Sequence, residues 1–101
     1  MGNDLVRICG VNDLPAEGGV CEVQAGKLAL CVAKLNGKIF ALDNECPHEG
    51  GPLGEGVLED GKVVCPWHGY AFDLNTGASD GDLLARVVEV TVEGGDVLAK
   101  V

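Results

Sequence analysis

Four side chains that could bind a metal stand in two short motifs near the middle of the sequence. The first motif is Cys46-Pro47-His48, and the second is Cys65-Pro66-Trp67-His68. A thiolate is a soft, strongly donating ligand and a neutral imidazole is a borderline one, so two of each suit zinc or an iron–sulfur centre. The motifs therefore predict one four-ligand site, formed where two loops meet.

The spacing within each motif distinguishes these two kinds of centre. Structural zinc sites usually place paired ligands two to four residues apart, whereas one residue separates Cys from His in the first motif and two in the second. Each motif also contributes one Cys and one His. This mixed pairing is better explained if the two cysteines bind one metal ion and the two histidines bind another.

The motifs and their flanks resemble the Rieske [2Fe–2S] signature, in which two His replace two Cys on one iron. The similarity includes Ala41-Leu42-Asp43 before the first motif and Gly50-x-Pro52-Leu53 after it. It continues after the second motif, from Gly69 to Gly77. Over nearly the whole chain, the sequence is similar to the small soluble Rieske-type ferredoxins.

The resemblance implies an all-β Rieske fold, with antiparallel base sheets and an inserted, smaller cluster-binding subdomain. It also implies one [2Fe–2S] cluster as the cofactor. Cys46 and Cys65 would bind the inner iron. His48 and His68 would bind the outer iron near the surface, where electrons would enter and leave.

The same resemblance implies the partners of the protein. A flavin-dependent reductase would be the electron donor, and the terminal oxygenase of a ring-hydroxylating dioxygenase system would be the acceptor. No residues resemble an acid–base pair or a nucleophile, so we expect an electron carrier and not an enzyme. Two alternatives are the small subunit of an assimilatory nitrite reductase and a structural Cys2His2 zinc module without a redox role.

Residues beside the ligands indicate a low reduction potential for a Rieske centre. In relatives from respiratory and photosynthetic complexes, a disulfide joins the two loops at positions matching Gly51 and Trp67. Those relatives also place serine and tyrosine hydroxyls near the cluster sulfurs, at positions matching Tyr70 and Phe72. Because hydrogen bonds to the sulfurs raise the potential and Phe72 has no hydroxyl, we expect about −150 mV.

The net charge limits the classes of partner. The 101 residues include 7 basic and 16 acidic ones, which gives a net charge of −9. Nucleic acid and anionic membranes are therefore poor partners, and a positively charged protein is a better one, although the same charge also keeps a small protein soluble. No apolar run is long enough to span a bilayer and no cleavable signal is visible, so we expect a cytoplasmic monomer.

The scaffold predicted for the two loops consists of short strands. The 16 glycines and 4% aromatic residues favour many sharply turned elements. Strands are predicted at 5–9, 20–23, 27–35, 38–42, 57–58, 62–64, 86–93 and 97–101. The dipeptide Asn36-Gly37 predicts a tight hairpin, and the only helix that the pattern allows lies at 13–17.

The length of the chain predicts a single domain, residues 1–101. Its base would comprise residues 1–42 and 83–101. Residues 43–82 would form the cluster-binding insertion, because the glycine-rich run after the first motif cannot hold a regular element.

Three further cysteines, Cys9, Cys21 and Cys31, lie outside the motifs. Their number is odd, so complete internal disulfide pairing is impossible. Cys9 and Cys31 lie in predicted strands, where Cys acts as a small buried hydrophobe, and we assign the same role to Cys21. Such thiols fit a reducing compartment.

Overall fold

Antiparallel β-sheet makes up most of the regular structure in a computed structural model that describes residues 5–47, 50–67, 69–79 and 83–100. The strands are β1 (Leu5–Gly10), β2 (Val20–Ala25), β3 (Leu28–Leu35), β4 (Lys38–Asp43), β5 (Val57–Glu59), β6 (Lys62–Val64), β7 (Ala71–Asp73), β8 (Val87–Val88), β9 (Val90–Glu93) and β10 (Asp96–Lys100). Two 3-10 helices, Val11–Asp13 and Leu53–Glu55, complete the regular elements of the described residues. The predicted all-β class is confirmed.

Two of the sheets form the base of the molecule. One has the strand order β2-β3-β4-β8 and the other has the order β1-β10-β9. The centre of β3 is buried on both faces, with Leu30, Cys31 and Val32 each 0% exposed. A strand buried on both faces does not alternate between apolar and polar residues, which explains the continuous apolar run in this part of the sequence.

Strands β3 and β4 separate two hydrophobic cores. On one face of the sheet, Leu30 and Val32 pack with residues of β1 and β10. On the other face, Leu42 packs with the motif residues Cys46 and Cys65. Because successive side chains of a strand point to opposite faces, the same two strands hold the second base sheet and the ligand loops. Truncating Leu30 or Leu42 to Ala would cost about 2–5 kcal/mol.

The third sheet has the order β5-β6-β7 and lies within residues 43–82. Its first hairpin turns at Asp60 and Gly61, whose φ angles are 51° and 78°. Phe72 of β7 pairs with Val63 of β6, and both side chains are 0% exposed. Strand β6 ends one residue before Cys65, so this sheet positions the second ligand loop.

The predicted hairpin between β3 and β4 is confirmed. Asn36 and Gly37 have φ angles of 55° and 75°, as a two-residue turn with both central residues left-handed requires. The strands continue in register from the turn, with Leu35 opposite Lys38.

Residues 86–93 form two strands, although the sequence pattern predicts one. Strand β8 pairs with β4, and β9 pairs with β10. The chain therefore passes from one base sheet to the other at Glu89, whose carbonyl accepts a hydrogen bond from the Lys100 N–H at 2.9 Å. Apolar–polar alternation shows only which face a side chain takes, so it does not show where a chain leaves one sheet and enters another.

The short helix that the sequence pattern allows at residues 13–17 does not form. The chain forms a 3-10 helix at Val11–Asp13 instead. Leu14 is extended, with φ −69° and ψ 152°, because the residue before a proline avoids the helical region. Among the described residues, no helix has the length and apolar character needed to cross a bilayer.

Candidate metal centre

The first ligand loop is closed by two backbone hydrogen bonds around Cys46. The Cys46 N–H donates to the Gly51 carbonyl at 2.8 Å, and the Gly50 N–H donates to the Cys46 carbonyl at 2.7 Å. Gly50 has a φ of 79°, a conformation that favours glycine. The closed loop leaves Cys46 only 2% exposed.

The second ligand loop repeats this geometry around Cys65. The Cys65 N–H donates to the Tyr70 carbonyl at 2.8 Å, and the Gly69 N–H donates to the Cys65 carbonyl at 3.1 Å. Gly69 has a φ of 75°, and Cys65 is also 2% exposed. Each loop thus begins with Cys-Pro and has a glycine with positive φ four residues after the Cys. The sequence contains this shared pattern, but the different spacing of Cys and His in the two motifs makes it hard to recognise.

The two loops lie against each other at Gly51. A Cβ added to Gly51 would lie 2.9 Å from Cys65 Sγ and 3.1 Å from the Trp67 ring. The backbone of the first loop therefore approaches the cysteine of the second. Cys46, Cys65, Leu53 and Phe72 belong to one buried cluster.

Cys46 and Cys65 are the predicted ligands that the structure places together. His48 and His68 lie outside the described residues. Within the described ranges, no group of three or more His, Cys, Asp or Glu side chains could hold a metal ion. The two cysteines fit an iron–sulfur cluster. Their thiols are buried in matching loops, and the glycine at position 51 lets the backbone approach a sulfur where a Cβ would be too close.

The other three cysteines lie in the strands of the base sheets. Cys9 and Cys31 are buried in β1 and β3, as predicted, and Cys21 is half-buried in β2. Burial raises the pKa of the Cys9 and Cys21 thiols, and it raises the pKa of Cys31 to about 12. Cys31 packs in the same buried cluster as Cys46 and Cys65, and Cys9 packs in the cluster on the other face of the sheet, where each acts as a small hydrophobe.

One buried polar residue beside the first loop is missing from the sequence-based prediction. Asn44 is 7% exposed and lies two residues before Cys46. The sequence shows only that this residue lies between the apolar end of β4 and the first motif. An exposed side chain would fit that position equally well, so the sequence does not predict the burial.

Comparison with known proteins identifies the family. A sequence model of the Rieske [2Fe-2S] domain matches residues 4–90. The chain belongs to the Rieske [2Fe–2S] domain family. The cofactor of this Rieske chain is accordingly one [2Fe–2S] cluster, as predicted.

Two relatives show how much of other proteins the Rieske chain covers. Apoptosis-inducing factor 3 of Mus musculus is 46% identical over 70 residues, which are 69% of this chain but 11% of that protein. The ferredoxin component of the p-cumate 2,3-dioxygenase system of Pseudomonas putida is 38% identical over 103 residues, covering 97% of this chain and 86% of the relative. The chain therefore spans about a tenth of the first protein and most of the second.

Solved structures confirm the predicted Rieske fold. The Sphingomonas yanoikuyae B1 ferredoxin has a TM-score of 0.85 and 30% identity, covering 97% of this chain and 99% of that chain. A chain in the complex of reduced oxygenase and oxidized ferredoxin in carbazole 1,9a-dioxygenase has a TM-score of 0.84 and 27% identity, covering 97% and 94%. None of these four proteins is named as a nitrite reductase subunit or a zinc module.

Proposed function

We propose that this Rieske protein carries one electron at a time from a flavin-dependent reductase to the terminal oxygenase of a ring-hydroxylating dioxygenase system. The observation that carries the proposal is the match to the ferredoxin component of the p-cumate 2,3-dioxygenase system. This match covers 97% of this chain and 86% of the relative. The matched region makes up most of that relative. The chain acts as a carrier without a substrate site of its own.

Cys46 and Cys65 bind one iron in this proposal, and His48 and His68 bind the other. The matching hydrogen bonds of the two loops support the assignment, because they present the two cysteines in the same way. Two thiolates bring two negative charges and two neutral imidazoles bring none, so the ligand set is less negative than four cysteines. When bound, the cluster accepts and releases one electron.

Apolar side chains around the cysteines keep water from the inner part of the site. Leu53 and Phe72 are each 0% exposed and pack in the same buried cluster as both thiols. A dry environment disfavours the added electron, because burial makes additional negative charge costly. This packing supports a potential at the low end of the Rieske range.

Partners dock on what we call the loop face, defined by Asp43, Glu45, Trp67 and Leu84. Trp67 is 57% exposed and Leu84 is 66% exposed, which is typical of apolar anchors at protein interfaces. Leu84 lines one groove together with Cys46, both carboxylates and Arg86. The two carboxylates outnumber Arg86 and agree in sign with the net charge of −9, so they favour an oxygenase surface that carries basic residues around an apolar pocket.

The whole chain, residues 1–101, is a single Rieske domain in this proposal, with base 1–42 and 83–101 and cluster-binding insertion 43–82. The position of the β5-β6-β7 sheet within the insertion supports this division. Cys9, Cys21 and Cys31 are free thiols, which favours the reducing cytoplasm. The proposed carrier is a monomer.

Reconstitution tests the function. The purified cluster-containing protein is mixed with a flavin-dependent reductase, NADH and a ring-hydroxylating oxygenase, and oxygenase turnover is measured with and without it. We expect turnover only when the protein is present, and bleaching of its visible absorbance by the reductase alone. A colourless protein that contains zinc would contradict the proposal.

Variants test the ligand assignment separately. The visible absorbance of the cluster should be lost in each of four variants, Cys46→Ser, Cys65→Ser, His48→Ala and His68→Ala. Cys21→Ser is the matched control, since this thiol lies in β2 outside the buried cluster that contains the ligand cysteines. Retention of the cluster in either ligand cysteine variant would overturn the assignment.

A further inference from the structure

Asn44 is the buried polar residue that stands between the base and the first ligand loop. Its side chain is 7% exposed, and no other polar or charged residue among the described ranges is classed as buried. Burying an amide without hydrogen-bond partners is costly. The partners of the Asn44 side chain therefore indicate which segments it holds together.

All four hydrogen-bonding groups of Asn44 are engaged, and their partners come from three segments. The backbone N–H donates to the Ala29 carbonyl of β3 at 2.9 Å, and the backbone carbonyl accepts from the Leu53 N–H at 2.8 Å. The side-chain Oδ1 accepts from the Gly54 N–H at 2.7 Å. The side-chain Nδ2 donates to Glu22 Oε1 of β2 at 3.0 Å.

The contact between Asn44 and Gly54 is tight. A Cβ added to Gly54 would lie 2.8 Å from Asn44 Oδ1 and 2.9 Å from the Glu22 backbone nitrogen. The turn Leu53–Glu55 is therefore packed directly on the base sheet, and Gly54 itself is buried. If Asn44 lost its side-chain oxygen, the buried Gly54 N–H would lose its hydrogen-bond acceptor.

We propose that Asn44 and Glu22 form a clamp that positions the first ligand loop on the base sheet and controls how tightly the cluster is retained. Asn44 acts through Cys46, two residues later, and through Leu53, whose buried side chain packs beside both cysteines. Glu22 of β2 is the second part of the clamp. Its carboxylate accepts the hydrogen bond from Asn44 Nδ2, and a carboxylate is a stronger acceptor than a neutral oxygen. The inference rests on the proposed assignment of Cys46 as a ligand.

Cluster release from the intact, cluster-loaded protein tests the clamp. The measurement is the loss of visible absorbance in the presence of an iron chelator, together with amide exchange at Gly54. Asn44→Ala should release the cluster about tenfold faster, since a buried donor without its acceptor is costly, and should speed exchange at Gly54. Gln24→Ala is the matched control, because it removes only the 3.3 Å hydrogen bond to the other Glu22 oxygen.

Reversing the polarity of the pair separates a specific clamp from a general packing role. Asn44→Asp places a carboxylate against Glu22 and should release the cluster faster than the wild-type protein. Adding Glu22→Gln gives the new carboxylate an amide donor, so the double variant should regain most of the wild-type retention. Side-chain volume is nearly the same in these variants, so a packing role would not produce the rescue.

The outcomes that overturn the clamp are distinct from those that overturn the function. Wild-type release rates in Asn44→Ala, or a double variant that releases the cluster as fast as Asn44→Asp, would show that the clamp is wrong. If Asn44→Ala does not fold, Glu22→Ala gives the same test from an exposed position, and an unchanged release rate there would also overturn the clamp. Release requires no partner, so it is independent of oxygenase turnover, and Cys46→Ser tests the ligand assignment.

Discussion

Single residues set how closely the two ligand loops approach each other. At Gly51 the backbone of the first loop lies against Cys65, and a Cβ at this position would lie 2.9 Å from the sulfur. Real side chains do not pack this closely, so a larger residue would push one loop from the other. The absence of a side chain at Gly51 is thus part of the site.

We predict that Gly51→Ala lowers the amount of cluster bound. The added methyl group meets Cys65 Sγ and the Trp67 ring, at 2.9 Å and 3.1 Å, and overpacking of this kind costs about 1–3 kcal/mol. Iron and acid-labile sulfide per chain are the quantities to measure. Gly10→Ala is the control, because its Cβ has no neighbour closer than 3.4 Å, and an equal loss in both variants would contradict the prediction.

Phe72 is the residue at which we expect a hydroxyl to change the reduction potential. It is 0% exposed and lies in the same buried cluster as Cys46 and Cys65. Phe72→Tyr should raise the midpoint potential by about 40 mV, taking about 1 kcal/mol for one hydrogen bond and 59 mV per tenfold change for one electron. Redox titration measures the shift. The control variant Phe72→Leu adds no hydroxyl, so its midpoint potential should stay near the wild-type value.

The same titration tests the low-potential assignment. A clearly positive midpoint potential of the wild-type protein would contradict it.

At the scale of elements, a carboxylate from outside the hairpin stabilises the turn between β3 and β4. Glu17 accepts hydrogen bonds from the Gly37 N–H, at 3.0 Å, and from the Asn36 N–H. These two bonds favour the charged form, the Gly37 bond most, and lower the pKa of Glu17 below its ordinary value. The turn is local in the sequence, but its stabilising partner is 19 and 20 residues away.

The lowered pKa gives a prediction for the pH dependence of stability. A carboxylate whose folded pKa is lowered stabilises the fold above its ordinary pKa of about 4.3, and this contribution is lost as the pH falls through the folded pKa. Glu17→Gln should therefore reduce the free energy of unfolding at pH 7, with a difference from the wild type that shrinks as the pH falls below about 4.3. Urea unfolding of both proteins at each pH measures this, and a constant difference would argue against the role of the charge.

At the scale of the whole molecule, charge and an exposed apolar face act together in the proposed binding of a partner. The net charge is −9, and the loop face presents two carboxylates beside Leu84. Long-range attraction raises the association rate with a basic partner and is screened by salt. Apolar anchors such as Leu84 then determine how long the complex lasts.

We predict that Leu84→Ala weakens binding to the oxygenase about fivefold and leaves the visible spectrum unchanged, because losing an apolar contact of this kind costs about 1 kcal/mol. Rising salt should weaken binding of both wild type and variant, since the carboxylates remain. Titration of the oxygenase measures the dissociation constant. Val92→Ala on β9, where the side chain is 51% exposed on a base sheet, is the control, and an equal effect of both variants would place the interface elsewhere.

The sequence by itself determined the chemistry of this protein and most of its strands. Ligand types, their spacing and turn dipeptides such as Asn36-Gly37 act over a few residues, so they can be recognised without knowing the fold. The same is true of the buried cysteines Cys9 and Cys31, whose strands have apolar neighbours along the chain. The placement of His48 and His68 stays a prediction, since both lie outside the described residues.

Only the tertiary structure decided which distant groups meet. The crossing between sheets at Glu89, the approach of Gly51 to Cys65 and the bonds of Asn44 all join segments far apart in the sequence. Asn44 lies 22 residues from Glu22 and 10 from Gly54, and no local pattern specifies such partners. Their choice depends on how the sheets pack, because a hydrogen bond or close contact forms only where the folded chain brings the two groups together.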